Sequence, residues 1–175
     1  MDAYGFEPTK SFYDIGINKY KLSPDKFQLS TIENVSYPDN YFDFITFGAV
    51  LEHLHDPNAC IKKALNWLKP GGYIHIEVPS ANWFIAKLYN FYYKWICLSN
   101  YVTNLSPMHS PFHHYEFTEK TFKENATHNQ YKVTWIKTET CETTLPIRIF
   151  DGFLKKYMNL SKTGLQLIVF LKKND

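Results

Sequence analysis

The chain has 175 residues, about the length of one domain, with 45% apolar and 21% charged residues, an ordinary globular composition. Its net charge of +2 and the absence of any Lys/Arg block longer than a pair exclude the electrostatic footprint of a nucleic-acid-binding protein. No apolar run approaches the roughly 20 residues of a membrane helix, and the N-terminus lacks the features of a signal peptide. We therefore expect a cytoplasmic protein that binds no nucleic acid and has no stable membrane insertion.

Three short segments open the chain. Residues 3–7 predict a strand that Pro8 stops, residues 9–18 are weakly helical, and residues 27–32 are a second candidate strand. The near-continuous apolar segment 42–47 predicts a strand covered on both faces of a sheet.

A well-marked helix follows that strand. Asp56 and Pro57 predict its start as N-cap and first residue, and apolar residues recur on one face up to Leu68. The segment 69–72, Lys-Pro-Gly-Gly, predicts its end and a turn, before a strand over 73–78. Strand, helix and strand within about 40 residues form a βαβ unit, which implies a parallel sheet.

The second half of the chain has weaker signals. Residues 83–97 are aromatic-rich and predict a helix, and residues 104–117 predict a loop. Thr118 is a candidate N-cap for a further helix, and segments 132–136 and 165–171 are candidate closing strands. No repeat, low-complexity segment or linker marks a second domain, so we expect a single one.

The three cysteines are widely spaced and odd in number: Cys60, Cys97 and Cys141. This pattern fits neither a zinc site nor a disulfide framework. We expect free thiols in a reducing compartment.

An ordered set of short motifs carries a family resemblance. The segment FDFITFGAVLEHLHDP at 42–57 and the turn LKPGGYI at 68–74 resemble blocks of the class I S-adenosylmethionine-dependent methyltransferases. The segment FHHYEFT at 112–118 is similar to a block in a small-molecule branch of that family, and residues 163–167 are similar to its closing strand. The order of the motifs, more than any one of them, is specific.

The resemblance implies an α/β fold: a Rossmann-like, doubly wound, mostly parallel sheet with helices on both faces and an antiparallel C-terminal strand. S-adenosylmethionine would lie across the carboxyl ends of the strands. The family opens with a strand, a Gly-x-Gly-x-Gly loop and a helix, and no such loop exists in this chain. We therefore expect residues 1–175 to form one methyltransferase-like domain that lacks the first strand and helix, with exposed strand edges that favour self-association.

The resemblance also implies where the cofactor binds. Glu7 follows the first candidate strand, where the family has an acidic residue that accepts hydrogen bonds from both ribose hydroxyls. The adenine contact would fall at Thr31, Ile32 and Glu33; Thr31 stands where the family usually has an acidic residue, and Glu33 is a candidate substitute. The alternatives are a solvent-facing Glu7 and an ordinary polar loop at 31–33.

The end of the central strand would face the methionine part of the cofactor. Phe47 and Gly48 lie there, and Gly48 would let the backbone approach a ligand closely. The alternative is a glycine that packing requires.

Glu52 and His53 raise the question of a metal. In some relatives, a Glu at the position of Ala49 completes a divalent-cation site with this pair. Two ligands at adjacent helical positions make a poor site by themselves. We therefore expect structural hydrogen bonding at a helix start and no bound metal.

His113 and His114 are the candidate catalytic residues, in a loop that also carries His109 and Glu116. A histidine can remove a proton from a hydroxyl or amine acceptor near neutral pH, while the cofactor carries the reactivity of the methyl group. The alternative is a loop whose histidines fix backbone carbonyls.

The segment 81–117 is expected to be a lid or acceptor-side insertion. One helical face within it carries four large apolar residues: Phe84, Leu88, Phe91 and Trp95. Core packing is the first interpretation of this face. A cover over an apolar or sugar-like acceptor and an interfacial membrane helix with a thin basic face are the alternatives.

Two functions follow from the sequence. The first is methyl transfer from S-adenosylmethionine to a small-molecule acceptor, such as a sugar, a lipid head group or a phenol-like compound. The second is a degenerate methyltransferase-like module that acts by binding a protein or a ligand, which the missing glycine loop favours. A lack of S-adenosylmethionine binding would favour the second.

Overall fold

The computed structural model describes residues 2–96, 112–141 and 148–174. The chain divides into two compact units, Met1–Asp39 and Asn40–Asp175, each with its own sheet. Within the described ranges, no helix is long and apolar enough to span a membrane.

The N-terminal unit is a small βαβ motif. β1 (Gly5–Glu7) pairs in parallel with β2 (Phe27–Leu29), and α1 (Lys10–Asn18) connects them. The helix packs on β2, because Tyr13 stacks on Phe27 with the ring centroids 5.4 Å apart. The helix and both strands expected in this part of the chain are present, although the strands are shorter than expected.

A four-stranded sheet forms the centre of the C-terminal unit. Its strands are β3 (Phe42–Gly48), β4 (Leu68–Pro79), β5 (Tyr131–Glu139) and β6 (Gln166–Lys173), in the order β3-β4-β6-β5. β3 and β4 run parallel, while β6 runs antiparallel to both β4 and β5. The expected parallel pair and antiparallel C-terminal strand are confirmed.

The described residues of this unit also contain four α-helices: α2 (Pro57–Trp67), α3 (Phe84–Trp95), α4 (Glu119–Ala126) and α5 (Asp151–Ser161). Two of them start at the expected caps: the Asp56 carboxylate accepts from the Ala59 amide, and Thr118 forms a capping box with Thr121. The sequence did not predict α5, because Gly152 in its first turn disfavours a helix.

The core of this unit lies on one face of the sheet. Alternate residues of β4 and β6 are at most 1% exposed: Ile74, Ile76, Val78, Leu167, Val169 and Leu171. Successive side chains of a strand point to opposite faces, so these six side chains, which lie opposite one another in the register, cover one face. Ala64 and Leu65 of α2 are also buried. Antiparallel pairing with β6 and burial in this core therefore fix the position of β4. β4 in turn positions β3, with which it pairs in parallel.

The surroundings of β3 differ from the expectation. Its apolar sequence predicted a strand covered on both faces, but Phe47 is its one buried residue, and Phe44 is 51% exposed. The reason is that β3 lies at an edge of the described sheet. The self-association expected from exposed edges and the single domain expected over the whole chain stay predictions.

The segment 69–72 also differs, since it was expected to form a turn after α2. The structure places it inside β4, which begins at Leu68 opposite Phe42. The register shifts just after this pair, so the Lys-Pro-Gly-Gly sequence makes an irregular strand start, as a β-bulge does. Packing requires Gly72, because a Cβ there would lie 3.0 Å from the Asp43 carbonyl oxygen.

Gly164, just before β6, is in close contact with the end of β5, because a Cβ would lie 2.3 Å from the Glu139 carbonyl oxygen. Gly164→Ala should lower the free energy of unfolding by roughly 1–3 kcal/mol, since the backbone must move to admit a methyl group. Gly152→Ala is the matched control, since no atom of the residues that the structure describes lies within 4 Å of its Cβ position. Chemical denaturation measures both variants, and equal stability of the two would contradict the packing assigned to Gly164.

Candidate active site

The carboxyl end of β3 leads into a sharp bend. The Ala49 amide donates to the Glu77 carbonyl oxygen of β4 at 2.9 Å, and Ala49 has a φ of 51°, in the left-handed region that non-glycine residues rarely adopt. Strained backbone of this kind clusters at functional sites. Among the described residues, no atom lies within 4 Å of the Gly48 Cβ position, so their packing does not explain a glycine there. The methionine-binding role of Phe47 and Gly48 stays a prediction.

A 3₁₀ turn, Leu51–His53, follows the bend. It is separate from α2, which begins at Pro57. The Glu52 side chain is 1% exposed, and its oxygen Oε2 has no hydrogen-bond partner within the part of the chain that the structure describes. The expected structural hydrogen bonding is present at His53, whose Nδ1 bonds to the Phe112 carbonyl oxygen, but not at Glu52 Oε2.

Three hydrogen bonds tie the loop 112–117 to the segment 51–55, and we call them the loop clamp. They join His53 Nδ1 to the Phe112 carbonyl at 2.9 Å, the His114 amide to the Glu52 carbonyl at 2.7 Å, and the Tyr115 hydroxyl to the His55 carbonyl at 2.7 Å. Because both the start and the middle of the loop are held, its histidines have fixed neighbours.

The loop clamp sets two pairs of histidine rings side by side. The His53 and His113 rings meet edge-to-face with centroids 4.8 Å apart, and the His55 and His114 rings stack at 5.2 Å. Both predicted catalytic histidines therefore lie beside the turn that follows β3. His109 lies outside the described residues.

His113 is half-buried, and this burial is the main cause that lowers the pKa of its imidazole. The negative charge of Glu52 acts in the opposite direction, and His53 lowers the pKa further. A lowered pKa favours the neutral ring near pH 7, the form that can accept a proton or bind a metal ion.

The end of the loop attaches to the carboxyl end of β4. Phe117 is buried and forms a β-bridge with Ser80, and its carbonyl accepts from the Ala81 amide at 2.9 Å. The carboxyl ends of two parallel strands and the histidine loop therefore meet at one edge of the sheet, where open α/β sheets bind ligands.

Glu7 belongs to the N-terminal unit. Its Oε1 accepts from the Thr9 amide at 2.9 Å, just before α1, so the carboxylate helps to start that helix. A carboxylate has about four acceptor positions, and this bond leaves capacity for ribose hydroxyls. The ribose role of Glu7 stays a prediction.

The predicted adenine contact, residues 31–33, also lies in the N-terminal unit. The Thr31 carbonyl accepts from the Asn34 and Val35 amides at 3.1 and 2.9 Å, which makes a tight turn. The Ile32 side chain is buried and Glu33 is exposed. Because the Ile32 side chain is buried, the backbone of this residue is the part that is able to contact a ligand. The adenine role of the three residues stays a prediction.

Three side chains beside the loop clamp are able to hold a metal ion. Glu52, His53 and His113 each offer one ligand atom, and these atoms lie within 4.8 Å of one another. The sequence did not predict this cluster, because only the adjacent Glu52 and His53 form a recognisable pattern. No spacing rule predicts a third ligand from so distant a loop.

The aromatic face of α3 is not a core face. Its buried residues are Ile85 and Ala86, whereas Phe91 is 70% and Trp95 is 77% exposed. Core packing was therefore the wrong interpretation for these two aromatic residues. The lid over segment 81–117 stays a prediction, and residues 97–111 lie outside the described ranges.

Comparison with known proteins identifies related proteins. A family model described as "Methyltransferase domain" matches residues 1–134, well over half of the chain. A Schizosaccharomyces pombe protein named as an uncharacterized methyltransferase is 32% identical over 82 residues, 42% of this chain and 30% of that protein. A demethylmenaquinone methyltransferase of Geobacillus is 30% identical over 100 residues, 54% of this chain and 43% of that protein. The chain spans less than half the length of these two relatives.

Solved structures show the fold. A Methanosarcina mazei protein described as a SAM-dependent methyltransferase has a TM-score of 0.64 at 19% identity, covering 98% of this chain and 81% of that one. One from Archaeoglobus fulgidus has a TM-score of 0.60 at 18% identity, covering 99% and 76%. The Rossmann-like fold expected from the motifs is confirmed, and both descriptions name the expected cofactor. The family match over residues 1–134 shows that the chain belongs to the methyltransferase domain family.

Proposed function

We propose that this chain takes part in methyl transfer from S-adenosylmethionine to a small-molecule acceptor. One observation carries the proposal. Gly48, with its open backbone, and the clamped loop that holds His113 and His114 lie at the same edge of the sheet, at the carboxyl ends of β3 and β4. The name of the Geobacillus relative, a demethylmenaquinone methyltransferase, supports a quinone-derived phenol among the acceptor classes. A sugar and a lipid head group are the other two classes to test.

Each unit, taken by itself, has a residue that fits part of the cofactor. In the C-terminal unit, Gly48 leaves open space among the described residues at a strand end. In the N-terminal unit, Glu7 offers a carboxylate that is partly exposed. When bound, S-adenosylmethionine supplies an electrophilic methyl group on a sulfonium, so the protein mainly supplies position. The proton that the acceptor loses needs a base, and His113 and His114 are the candidates.

The ribose role of Glu7 predicts a defined loss of affinity. Glu7→Gln keeps an oxygen for the Thr9 amide but removes the charge, so S-adenosylhomocysteine should bind about 1.5–3 kcal/mol more weakly, the value of hydrogen bonds to a charged group. Asp14→Asn is the control, because Asp14 pairs with Lys10 on the exposed side of α1 and should leave binding unchanged. Isothermal titration calorimetry measures all three proteins.

Two outcomes of this titration would count against the assignments. Unchanged affinity in a folded Glu7→Gln protein would refute the ribose role. A folded wild-type chain that binds neither S-adenosylmethionine nor S-adenosylhomocysteine would contradict the proposed function and favour the non-catalytic module.

The base role predicts a loss of turnover. In the residue that serves as base, substitution by alanine should slow methyl transfer by roughly a hundredfold or more, so one of His113→Ala and His114→Ala should be slow. The measurement follows labelled methyl groups from S-adenosylmethionine into demethylmenaquinone, a simple phenol and a sugar. His128→Ala is the control, since His128 is exposed in the turn after α4. Near-normal rates in both loop variants would leave positioning alone as the protein's contribution.

A further inference from the structure

An apolar stripe along α3 lies at the surface of the C-terminal unit. Residues three or four positions apart share a face of a helix, and four large side chains follow this spacing: Phe84, Leu88, Phe91 and Trp95. The last three of them are exposed, Trp95 to 77%. Monomeric soluble proteins rarely leave large apolar side chains together in water, so this stripe calls for a partner.

A second stripe of the same kind runs along α5. Its residues also follow helical spacing and are all exposed: Phe150, Phe153, Tyr157 and Leu160. Phe153 is 72% and Leu160 is 78% exposed, whereas Met158 is the residue that α5 buries. The helix therefore presents most of its large apolar side chains to solvent and not to the core.

The two stripes meet where α3 begins. The rings of Phe84 and Tyr157, one from each stripe, pack with their centroids 4.8 Å apart. The Phe84 amide donates to the Thr163 carbonyl oxygen at 3.0 Å, which ties the start of α3 to the segment after α5. The two stripes are therefore joined, and we call their eight residues the apolar surface.

Lysines border the apolar surface. Lys87 and Lys94 lie two turns apart along one flank of the α3 stripe, Lys156 lies beside the α5 stripe, and all three are exposed. α3 contains no acidic residue, and the one acidic residue of α5, Asp151, pairs with Lys155 at 2.9 Å. The two helices therefore surround the apolar surface with a net positive charge.

We infer that the apolar surface binds, as a peripheral contact, the face of a membrane that contains anionic lipids. Helices that lie in the plane of a membrane insert apolar side chains between head groups and acyl chains, while lysines attract anionic lipids. The rings of Trp95 and Tyr157 each combine an apolar body with a polar group, which suits this boundary.

The lysines favour a membrane over a second copy of the chain. A symmetric dimer brings the same surface of both copies together, so Lys87, Lys94 and Lys156 of each copy would lie at one interface. The two helices offer no acidic residue there besides the paired Asp151, and like charges at an interface are costly. Anionic lipids instead supply the opposite charge.

The apolar surface begins at the edge of the sheet where the candidate site lies. β4 ends at Pro79, the bridge from Ser80 to Phe117 attaches the histidine loop there, and α3 begins at Phe84. This placement favours a lipid-soluble methyl acceptor, a consequence that rests on the proposed function. Membrane binding needs no turnover, and its failure would leave S-adenosylmethionine binding untouched, so the two failures are distinguishable.

Flotation of the full chain with vesicles of equal parts phosphatidylcholine and phosphatidylglycerol tests the surface. The wild type should float with these vesicles, and binding should fall as added salt screens the lysines. Phe153→Ser should weaken binding roughly tenfold, since the lost ring no longer leaves water for lipid. Lys156→Glu should weaken it by a similar factor through its charge.

Two matched controls change exposed residues outside the apolar surface. Phe12 on α1 is 63% exposed, and Lys132 is exposed at the start of β5, level with the amino end of β4. Phe12→Ser and Lys132→Glu should bind as the wild type does. Because all four substituted residues are exposed, the variants should fold, which circular dichroism checks.

Tryptophan fluorescence supplies a second readout. Vesicles with brominated acyl chains should quench part of the emission of the wild type, because Trp95 enters the lipid. Trp95→Phe keeps an aromatic ring at this position, so it should still float with the vesicles but lose most of the quenching. Quenching that is unchanged in Trp95→Phe would overturn the inference, because another part of the chain would then contact the lipid.

Three flotation results would also overturn the inference. One is a folded wild type that does not float with the anionic vesicles. Another is a loss of binding in Phe12→Ser and Lys132→Glu equal to that in Phe153→Ser and Lys156→Glu, which would indicate a general attraction. The third is a dimer that does not float and that Phe153→Ser dissociates, which would assign the surface to a second copy of the chain.

Discussion

The candidate site depends on the loop clamp, the three hydrogen bonds between residues 112–115 and the segment 51–55. Each such bond contributes only about 0.5–1.5 kcal/mol to stability, but together they define where a loop without secondary structure lies. The clamp places His113 and His114 beside the turn that follows β3, which contains the buried Glu52. Without the clamp, the ring contacts of His53 with His113 and of His55 with His114 would be lost. The charge of Glu52 would then no longer act on His113.

The clamp can position the loop because the segment 51–55, to which the loop is bonded, is itself held by β4. The 3₁₀ turn follows a bend that the Ala49–Glu77 hydrogen bond joins to β4, and β4 is paired along most of its length with β6. Alternate side chains of β4 and β6 are at most 1% exposed, so this strand pair lies in the buried core of the C-terminal unit. A functional site needs supporting residues that hold it within a fraction of an ångström, and this chain of contacts supplies that support.

The sequence predicted the features that local signals determine. The apolar segment 42–47, the Asp56 cap and the Thr118 cap each depend on neighbours in the chain, and the structure contains all three elements. The burial of β3 was wrong because the strand order places it at a sheet edge. The proximity of Glu52 to His113, whose ligand atoms lie within 4.8 Å of each other, was missed for a related reason: it depends on the path of a loop far along the chain. The roles of Glu7 and residues 31–33 rest on resemblance and stay predictions.

A crystal structure grown with S-adenosylhomocysteine tests the central claim most directly. We expect the loop clamp to be intact and the nucleoside to lie at the carboxyl end of β3 with its sulfur near Gly48. Ligand density away from this strand end would contradict the proposed cofactor site. A loop that lies away from the segment 51–55 in the bound protein would contradict the whole arrangement.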